Sequence, residues 1–224
     1  MEAIMKLTPQ KEAFFEEGDQ FFLRNEKKYE KNDKPEFVNL FSKYVKISDH
    51  VLEVGSGNGL HLAMLTERKN CKASALEPSA LAIADGQAKY PTISFYQGTA
   101  EKLPLADASV DFLFFGFCLY LIDRSLLCQV IAEADRVLKD GGFIGVVDFD
   151  PVTQHRRPYV HRSGIYSYKM NYASLFLAFP QYAEVEKHAF SHYDESFHLD
   201  QNERVAAWVL HKSLEQGWPL IASA

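Results

Sequence analysis

Between residues 45 and 150 the chain alternates short apolar runs with longer segments whose apolar residues recur every three or four positions. Runs of the first kind suit buried strands, and segments of the second suit amphipathic helices. His50 to Val54 reads as a first strand and Leu60 to Arg68 as the helix after it. Cys71 to Leu76 is a second strand, ending at Glu77. Pro78 and Ser79 then open a helix, with Pro placed where its missing N–H costs little. Ile93 to Gln97 alternates as a third strand, and Val110 to Phe115 is an apolar fourth. Leu126 to Leu138 is a strong helical pattern, and Lys139-Asp140-Gly141-Gly142 predicts its C-cap. Phe143 to Phe149 is a fifth strand. Strand and helix in strict alternation predict an α/β fold with a mostly parallel sheet.

The flanks read differently. Residues 10–30 are charged and aromatic, with Phe14, Phe15, Phe21 and Phe22 at mixed helical spacing. Pro35 to Tyr44 is a helix with Phe37, Leu40, Phe41 and Tyr44 on one face. A polar, aromatic insertion occupies 151–182, and Ala183–His192 with Val205–His211 form a final antiparallel pair. The expected organisation is one domain over 1–224: a helical cap at 1–45, a core at 46–150, the insertion at 151–182 and a hairpin region at 183–224.

At 224 residues the chain has ample length for one core. Its net charge of −6 argues against nucleic acid or a membrane surface as the main partner. Cys71, Cys118 and Cys128 form no Cys-x-x-Cys pair, so neither a metal site nor a disulfide framework is expected. Met1 to Lys6 starts no signal-peptide apolar region, and the run Phe112 to Ile122 is too short to span a bilayer. A reducing cytoplasm is the expected compartment.

The chemistry begins at Val51-Leu52-Glu53-Val54-Gly55-Ser56-Gly57-Asn58-Gly59. A strand runs into a turn with glycine at every second position, and a helix follows. Missing Cβ atoms there allow a sharp turn and close approach of a nucleotide-like ligand. Leu60 occupies the position a Gly-x-Gly-x-x-Gly dinucleotide fingerprint gives to a small residue, and no Gly-Lys-Ser/Thr of a P-loop is present. Glu77, 18 residues beyond Gly59 at the end of the second strand, suits a carboxylate accepting from both ribose hydroxyls.

This stretch resembles the first motif of the class I S-adenosylmethionine-dependent methyltransferases, hydrophobic-x-Glu/Asp-x-Gly-x-Gly-x-Gly. Gly98-Thr99-Ala100-Glu101-Lys102-Leu103-Pro104-Leu105, with Asp107, Ser109 and Asp111, is similar to the Asp-Ala-Glu-x-Leu-Pro-Phe-x-Asp-x-Ser-Phe-Asp signature of the ubiquinone/menaquinone type. Ala134 to Gly142 resembles that family's structural Glu-x-x-Arg-Val-Leu-Lys-Pro-Gly-Gly turn, with Asp140 in place of Pro. The resemblance covers roughly residues 45–150. It implies a Rossmann-like, doubly wound, seven-stranded sheet, mostly parallel with a C-terminal antiparallel hairpin. It also implies S-adenosylmethionine as cofactor and S-adenosylhomocysteine as product. On the cofactor side it places Glu53, Gly55, Ser56, Gly57, Asn58, Gly59, Glu77 and Pro78. Thr99, Ala100 and Glu101 fall around the adenine. Thr99 stands where the family's Asp holds the adenine amino group; its hydroxyl accepts one hydrogen bond without the charge. Arg24 resembles an N-terminal element that closes over the cofactor and is a partner for its carboxylate. Gly116 and Phe117, at the end of the fourth strand, are expected beside the cofactor, with Tyr120 near the acceptor.

The insertion is the expected acceptor site. Arg156, Arg157, Arg162 and Lys169, with no acidic residue between Asp150 and Glu184, give it a formal charge of +4. Guanidinium groups bind carboxylate or phosphate through paired hydrogen bonds, and Tyr166, Tyr168 and Tyr172 add stacking surface and hydroxyls. The acceptor expected is a small molecule carrying carboxylate or phosphate, methylated most readily on oxygen. If a base is needed, His155 and His161 are the candidates, with Tyr159 to orient the acceptor. Two other readings stand: an N-methyltransferase on a small molecule, and a non-catalytic subunit that binds the cofactor. The Asn-Pro-Pro-Tyr motif used on amide or base nitrogens is absent after the fourth strand, where Phe115-Gly116-Phe117-Cys118 stands. An aminopropyl transferase would carry paired acidic residues for a polyamine, and the insertion has the opposite sign.

Overall fold

Strand β1 (His50–Val54) is buried along its whole length, and the fold is organised around it. Parallel β2 (Lys72–Glu77) flanks it on one side and parallel β4 (Val110–Gly116) on the other. In the computed structural model, which describes residues 9–30, 35–191 and 196–221, β3 (Ser94–Gln97) adds beyond β2 and β5 (Leu138–Phe149) beyond β4. β9 (Arg204–Lys212) then pairs antiparallel with β5, and β8 (Tyr182–Ser191) closes the edge, giving the order β3-β2-β1-β4-β5-β9-β8. The expected seven-stranded, mostly parallel sheet with an antiparallel pair is what the chain forms. Side chains 9–15 and 27–30 are outside the description, so Phe14 and Phe15 are too, as are Met1 to Lys6 and His192.

Successive strand residues point to opposite faces, and the two faces make two cores. Val51, Ala73, Ala75, Phe112 and Phe114 face α2 (Glu36–Ser42) and α3 (Leu60–Lys69), which bury Phe37, Phe41, Leu62 and Leu65 against them. Leu52, Val54, Leu113, Phe115 and Val146 face α5 (Leu127–Val137), through Val130, Ile131 and Ala134. α4 (Ala80–Lys89) starts on Ser79, whose hydroxyl accepts the Ala82 N–H at 3.0 Å.

One sequence expectation is corrected. α5 ends at Val137, not at a glycine cap, because Leu138 turns extended and pairs with Val110 of β4. Strand pairing there outweighs the local Gly141-Gly142 signal. Within the insertion, β6 (His155–Pro158) and β7 (Tyr166–Lys169) form a hairpin, and α6 (Ala173–Leu177) follows. The short α7 (Leu214–Gly217) follows β9. α1 (Pro9–Glu30) lies against α4. Among the described residues no helix is long and apolar enough to cross a membrane.

Candidate cofactor and acceptor site

Gly55, Gly57 and Gly59 all adopt positive φ (74°, 54° and 79°), which makes the reversal from β1 into α3. Gly55 is doubly required. A Cβ there would stand 2.6 Å from Cys118 Cβ, so any side chain would collide with the end of β4. Two carboxylates converge on this turn. Glu77 accepts the Gly57 N–H at 2.8 Å and the Ser79 N–H at 3.0 Å. Burial pushes its carboxyl up to about 7 despite these two donors. Glu53 is fully buried, which also raises its carboxyl. Its Oε1 lies 2.8 Å from His61 Nδ1, while Oε2 is buried with no partner. A buried carboxylate oxygen without a donor is costly unless a ligand supplies one.

Beside the turn lies an open pocket of about 510 Å³. Val54 and Leu76 line its apolar side, and Thr99, Ala100 and Glu101 its far wall. The Thr99 hydroxyl donates to Glu101 Oε1 at 2.7 Å, leaving its lone pairs free to accept. Arg136 holds this wall in place. Its guanidinium donates to the carbonyls of Leu103 and Leu105 at 3.0 and 2.9 Å and pairs with Glu133 and Asp107 at 2.7 Å. Cys118, Ile122 and Leu126 close the opposite side. Burial pushes the Cys118 thiol up, so it stays protonated and apolar.

The residues present fit S-adenosylmethionine. Glu77 brings a carboxylate to the turn, and Leu76 with Thr99–Glu101 lines a pocket beside it. The glycine turn supplies close backbone approach, and the orphaned Glu53 oxygen calls for a cationic donor.

Next to the pocket, the ends of β4 and β5 carry a packed aromatic cluster. Phe117 has φ +61°, a strained conformation for a bulky residue and one found at functional sites. Its ring centroid lies 5.1 Å from Tyr120 and 5.0 Å from Phe149. Lys169 Nζ stands 3.6 Å from the Phe149 ring centroid and donates to the Asn202 carbonyl at 2.5 Å. Lys169 is 1 % exposed, and burial pulls its amine down to about 8. Asp148, fully buried, accepts the Phe149 and Tyr120 N–H groups at 2.8 and 3.1 Å. It pins the 3-10 turn Leu119–Leu121 over the sheet end, and burial raises its carboxyl to about 8.

α1 straps the two halves together. Asp19 Oδ1 accepts from the Ser79 hydroxyl at 2.6 Å and the Leu81 N–H at 3.1 Å, so it caps α4 from outside. Glu16 takes Arg162 of the insertion at 2.9 Å. Glu17, 4 % exposed, holds Arg24, whose guanidinium also reaches Tyr159 Oη at 3.5 Å.

The structure therefore sorts the expected residues. Glu53, Gly55, Gly57, Glu77, Pro78, Thr99, Ala100, Glu101 and Gly116 gather at the pocket and turn. Asn58 is turned away: its amide donates to Asp85 at 2.8 Å, tying the turn to α4. Ser56 is buried with its hydroxyl 3.4 Å from the Gly57 carbonyl. Arg24 is held by Glu17 rather than aimed at the glycine turn, because α1 carries its own buried counter-ion one face along. His155 has both ring nitrogens engaged, by Thr153 O at 2.8 Å and Asn202 Oδ1 at 3.1 Å, which leaves none for an acceptor proton. His161 is exposed, its ring edge-on to Tyr159 at 5.3 Å. Tyr172 is a core residue whose hydroxyl donates to the Tyr168 carbonyl at 2.6 Å and accepts from Arg124 at 2.8 Å. Tyr168 lies under that same Arg124, 4.6 Å from ring centroid to guanidinium. Arg156 and Arg157 are exposed on β6, Arg156 over the Tyr166 ring. Of the four basic residues, Lys169 alone is buried.

Residues 51–142 match the family described as "Methyltransferase domain". A ubiquinone/menaquinone biosynthesis C-methyltransferase of Rubrivivax gelatinosus is 33% identical over 111 residues, covering 49% of this chain and 43% of that protein. A malonyl-[acyl-carrier protein] O-methyltransferase of a Marinomonas strain is 31% identical over 124 residues, covering 52% and 43%. The chain thus spans less than half the length of these curated relatives. A SAM-dependent methyltransferase of Methanosarcina mazei has the same fold, with TM-score 0.63 at 16% identity, over 79% of this chain and 98% of that one. Residues 51–142 are thus similar to a methyltransferase domain, and the chain shares its fold with an S-adenosylmethionine-dependent methyltransferase.

Proposed function

We propose that the protein transfers a methyl group from S-adenosylmethionine to a small acceptor with an anionic group, on oxygen. The observation that carries this reading is the adjacency of Gly116 and Phe117. Gly116 abuts the Glu53 carboxylate on the donor side, and the Phe117 ring is part of the aromatic cluster. Donor and acceptor sites thus share one wall two residues thick. The cofactor, when bound, supplies an electrophilic methyl group on a sulfonium, and displacement needs the acceptor oxygen in line with it.

The chain's part is alignment and exclusion of water. Glu77, Thr99 and the glycine turn fix the donor. Phe117, Tyr120 and Phe149 stack against the acceptor, and Lys169 takes its negative charge. Arg156 and Arg157, exposed on β6, raise the local concentration of anions. An anionic oxygen needs no base, which agrees with the engagement of His155 and the exposure of His161.

Carbon is the second acceptor atom to consider. Three aromatic rings in one cluster suit a planar, electron-rich acceptor, and one relative is named as a C-methyltransferase. Incubation with deuteromethyl S-adenosylmethionine and a panel of carboxylates, phosphates and phenols tests both readings by mass spectrometry. A label released by ester hydrolysis supports oxygen on a carboxylate; a label retained on a ring carbon replaces that reading. Tight S-adenosylhomocysteine binding with no labelled product across the panel favours the non-catalytic subunit.

A further inference from the structure

We infer that His61 is a positioning residue for the amino-acid end of the donor: it holds one oxygen of the buried Glu53 carboxylate so that the other is presented to an ammonium group. The inference rests on the cofactor reading above and goes beyond it, to a residue outside the glycine turn.

Glu53 is 0 % exposed, on a strand whose neighbours across the ladder are Ala75 and Phe114, so its own sheet offers no donor. Among the described residues only His61 reaches it, Nδ1 to Oε1 at 2.8 Å. Gly116 closes the space behind Oε1, because a Cβ at that position would lie 2.5 Å from it. Oε2 alone remains, buried and without a donor. The His61 ring is itself fixed, meeting the Phe37 ring edge-on at 4.8 Å and 75°. The carboxylate therefore has one orientation, set from the first turn of α3 and backed by α2. Its free oxygen lies at the turn where a nucleoside with an amino-acid tail is expected, and the α-ammonium of that tail is a donor of the right charge. Removing the His61 donor would leave two unmet oxygens and a carboxyl free to take a proton, which an ammonium no longer prefers.

Truncating the ligand separates this role from simple packing. S-adenosylhomocysteine carries the ammonium and 5′-methylthioadenosine does not. In His61→Phe, which keeps a ring against Phe37, the Kd for S-adenosylhomocysteine should rise about tenfold or more, while that for methylthioadenosine stays within about twofold. His61→Asn, which restores a donor near the Nδ1 position, should recover most of the loss. Equal weakening of both ligands in His61→Phe, or weakening of neither, overturns the inference. If the wild-type chain binds neither ligand, the cofactor reading fails and this inference with it. If the variants do not fold, the wild-type chain still decides. The His61 ring ¹⁵N resonances should shift with S-adenosylhomocysteine and hold still with methylthioadenosine; identical responses overturn the assignment.

Discussion

Gly116 and Glu53, on neighbouring parallel strands, are in such close contact that a Cβ on residue 116 would lie 2.5 Å from Glu53 Oε1 and 3.1 Å from the Gly55 carbonyl. Gly116→Ala should therefore displace the carboxylate. Overpacking of this kind costs on the order of 1–3 kcal/mol, so S-adenosylhomocysteine affinity should fall about tenfold and Tm should drop by a few degrees. Calorimetric titration and a thermal scan would check it; unchanged affinity would show that the Glu53 orientation does not matter.

Asp19→Ala removes the carboxylate that caps α4 from α1, where it accepts from the Ser79 hydroxyl and the Leu81 N–H. A lost cap of this type costs about 1 kcal/mol. The larger consequence is local. α1 should detach more often, and limited proteolysis should cut within it several-fold faster, with global Tm little changed. S-adenosylhomocysteine should restore much of the protection. A cleavage rate equal to wild type would mean that Asp19 does not hold the strap.

Lys169→Met keeps the packing on Phe149 while removing its buried cation, which now donates to the Asn202 carbonyl. The acceptor KM should rise about tenfold, the scale of one charged hydrogen bond, with the Kd for S-adenosylhomocysteine within twofold. Arg156→Ala, on the exposed face of β6, should raise KM less. An acceptor indifferent to Lys169 would have no anionic group at that position.

Asp148 sets a pH dependence with a definite sign. Burial raises its carboxyl from the ordinary 3.8 to about 8. Between those values the folded chain carries a proton the unfolded chain has lost, so the contribution is complete below pH about 4 and is lost as pH rises through about 8. Glu77, raised to about 7, acts in the same direction. Urea midpoints should thus decline from pH 5 to pH 8.5. Asp148→Asn should lower stability at pH 5, because its single side-chain oxygen serves only one of two N–H donors, yet it should show a shallower decline. A parallel decline in the variant would move the pH dependence elsewhere.

The sheet order and the donor turn were legible in the sequence because they depend on local patterns. Val51 to Val54 is apolar and buried on both faces, and three alternating glycines admit few other geometries. Glu77 was legible for the same reason, standing at the end of a strand beside that turn. The acceptor side was not. Charge counts drew attention to Arg156, Arg157 and Arg162, but of the four cations it is Lys169 that packing buries, and a charge count carries no record of packing. Asp148 and Phe149 read as the tail of an apolar strand; nothing in their spacing signals that one pins Tyr120 and the other lies under Lys169. The Asp19 cap and the Glu17–Arg24 contact join segments tens of residues apart or share one helix face, and residue spacing holds no record of them. Phe149 was within reach: an aromatic residue closing a parallel strand next to the methyl-transfer point resembles Phe117 in position.

Between β5 and β8 the chain leaves the sheet for residues 151–181, which carry the hairpin β6–β7 and α6, and it rejoins the sheet as β8 along the whole of β9. Side chains hold this excursion to the rest, Lys169 on the Asn202 carbonyl and Tyr172 under Arg124. A segment outside the sheet can vary without disturbing strand pairing. Another 151–181 segment joined between β5 and β8 would meet the same sheet and the same donor pocket. Acceptor choice in this architecture is free to change by exchange of one segment, while the machinery that handles the methyl donor stays where it is.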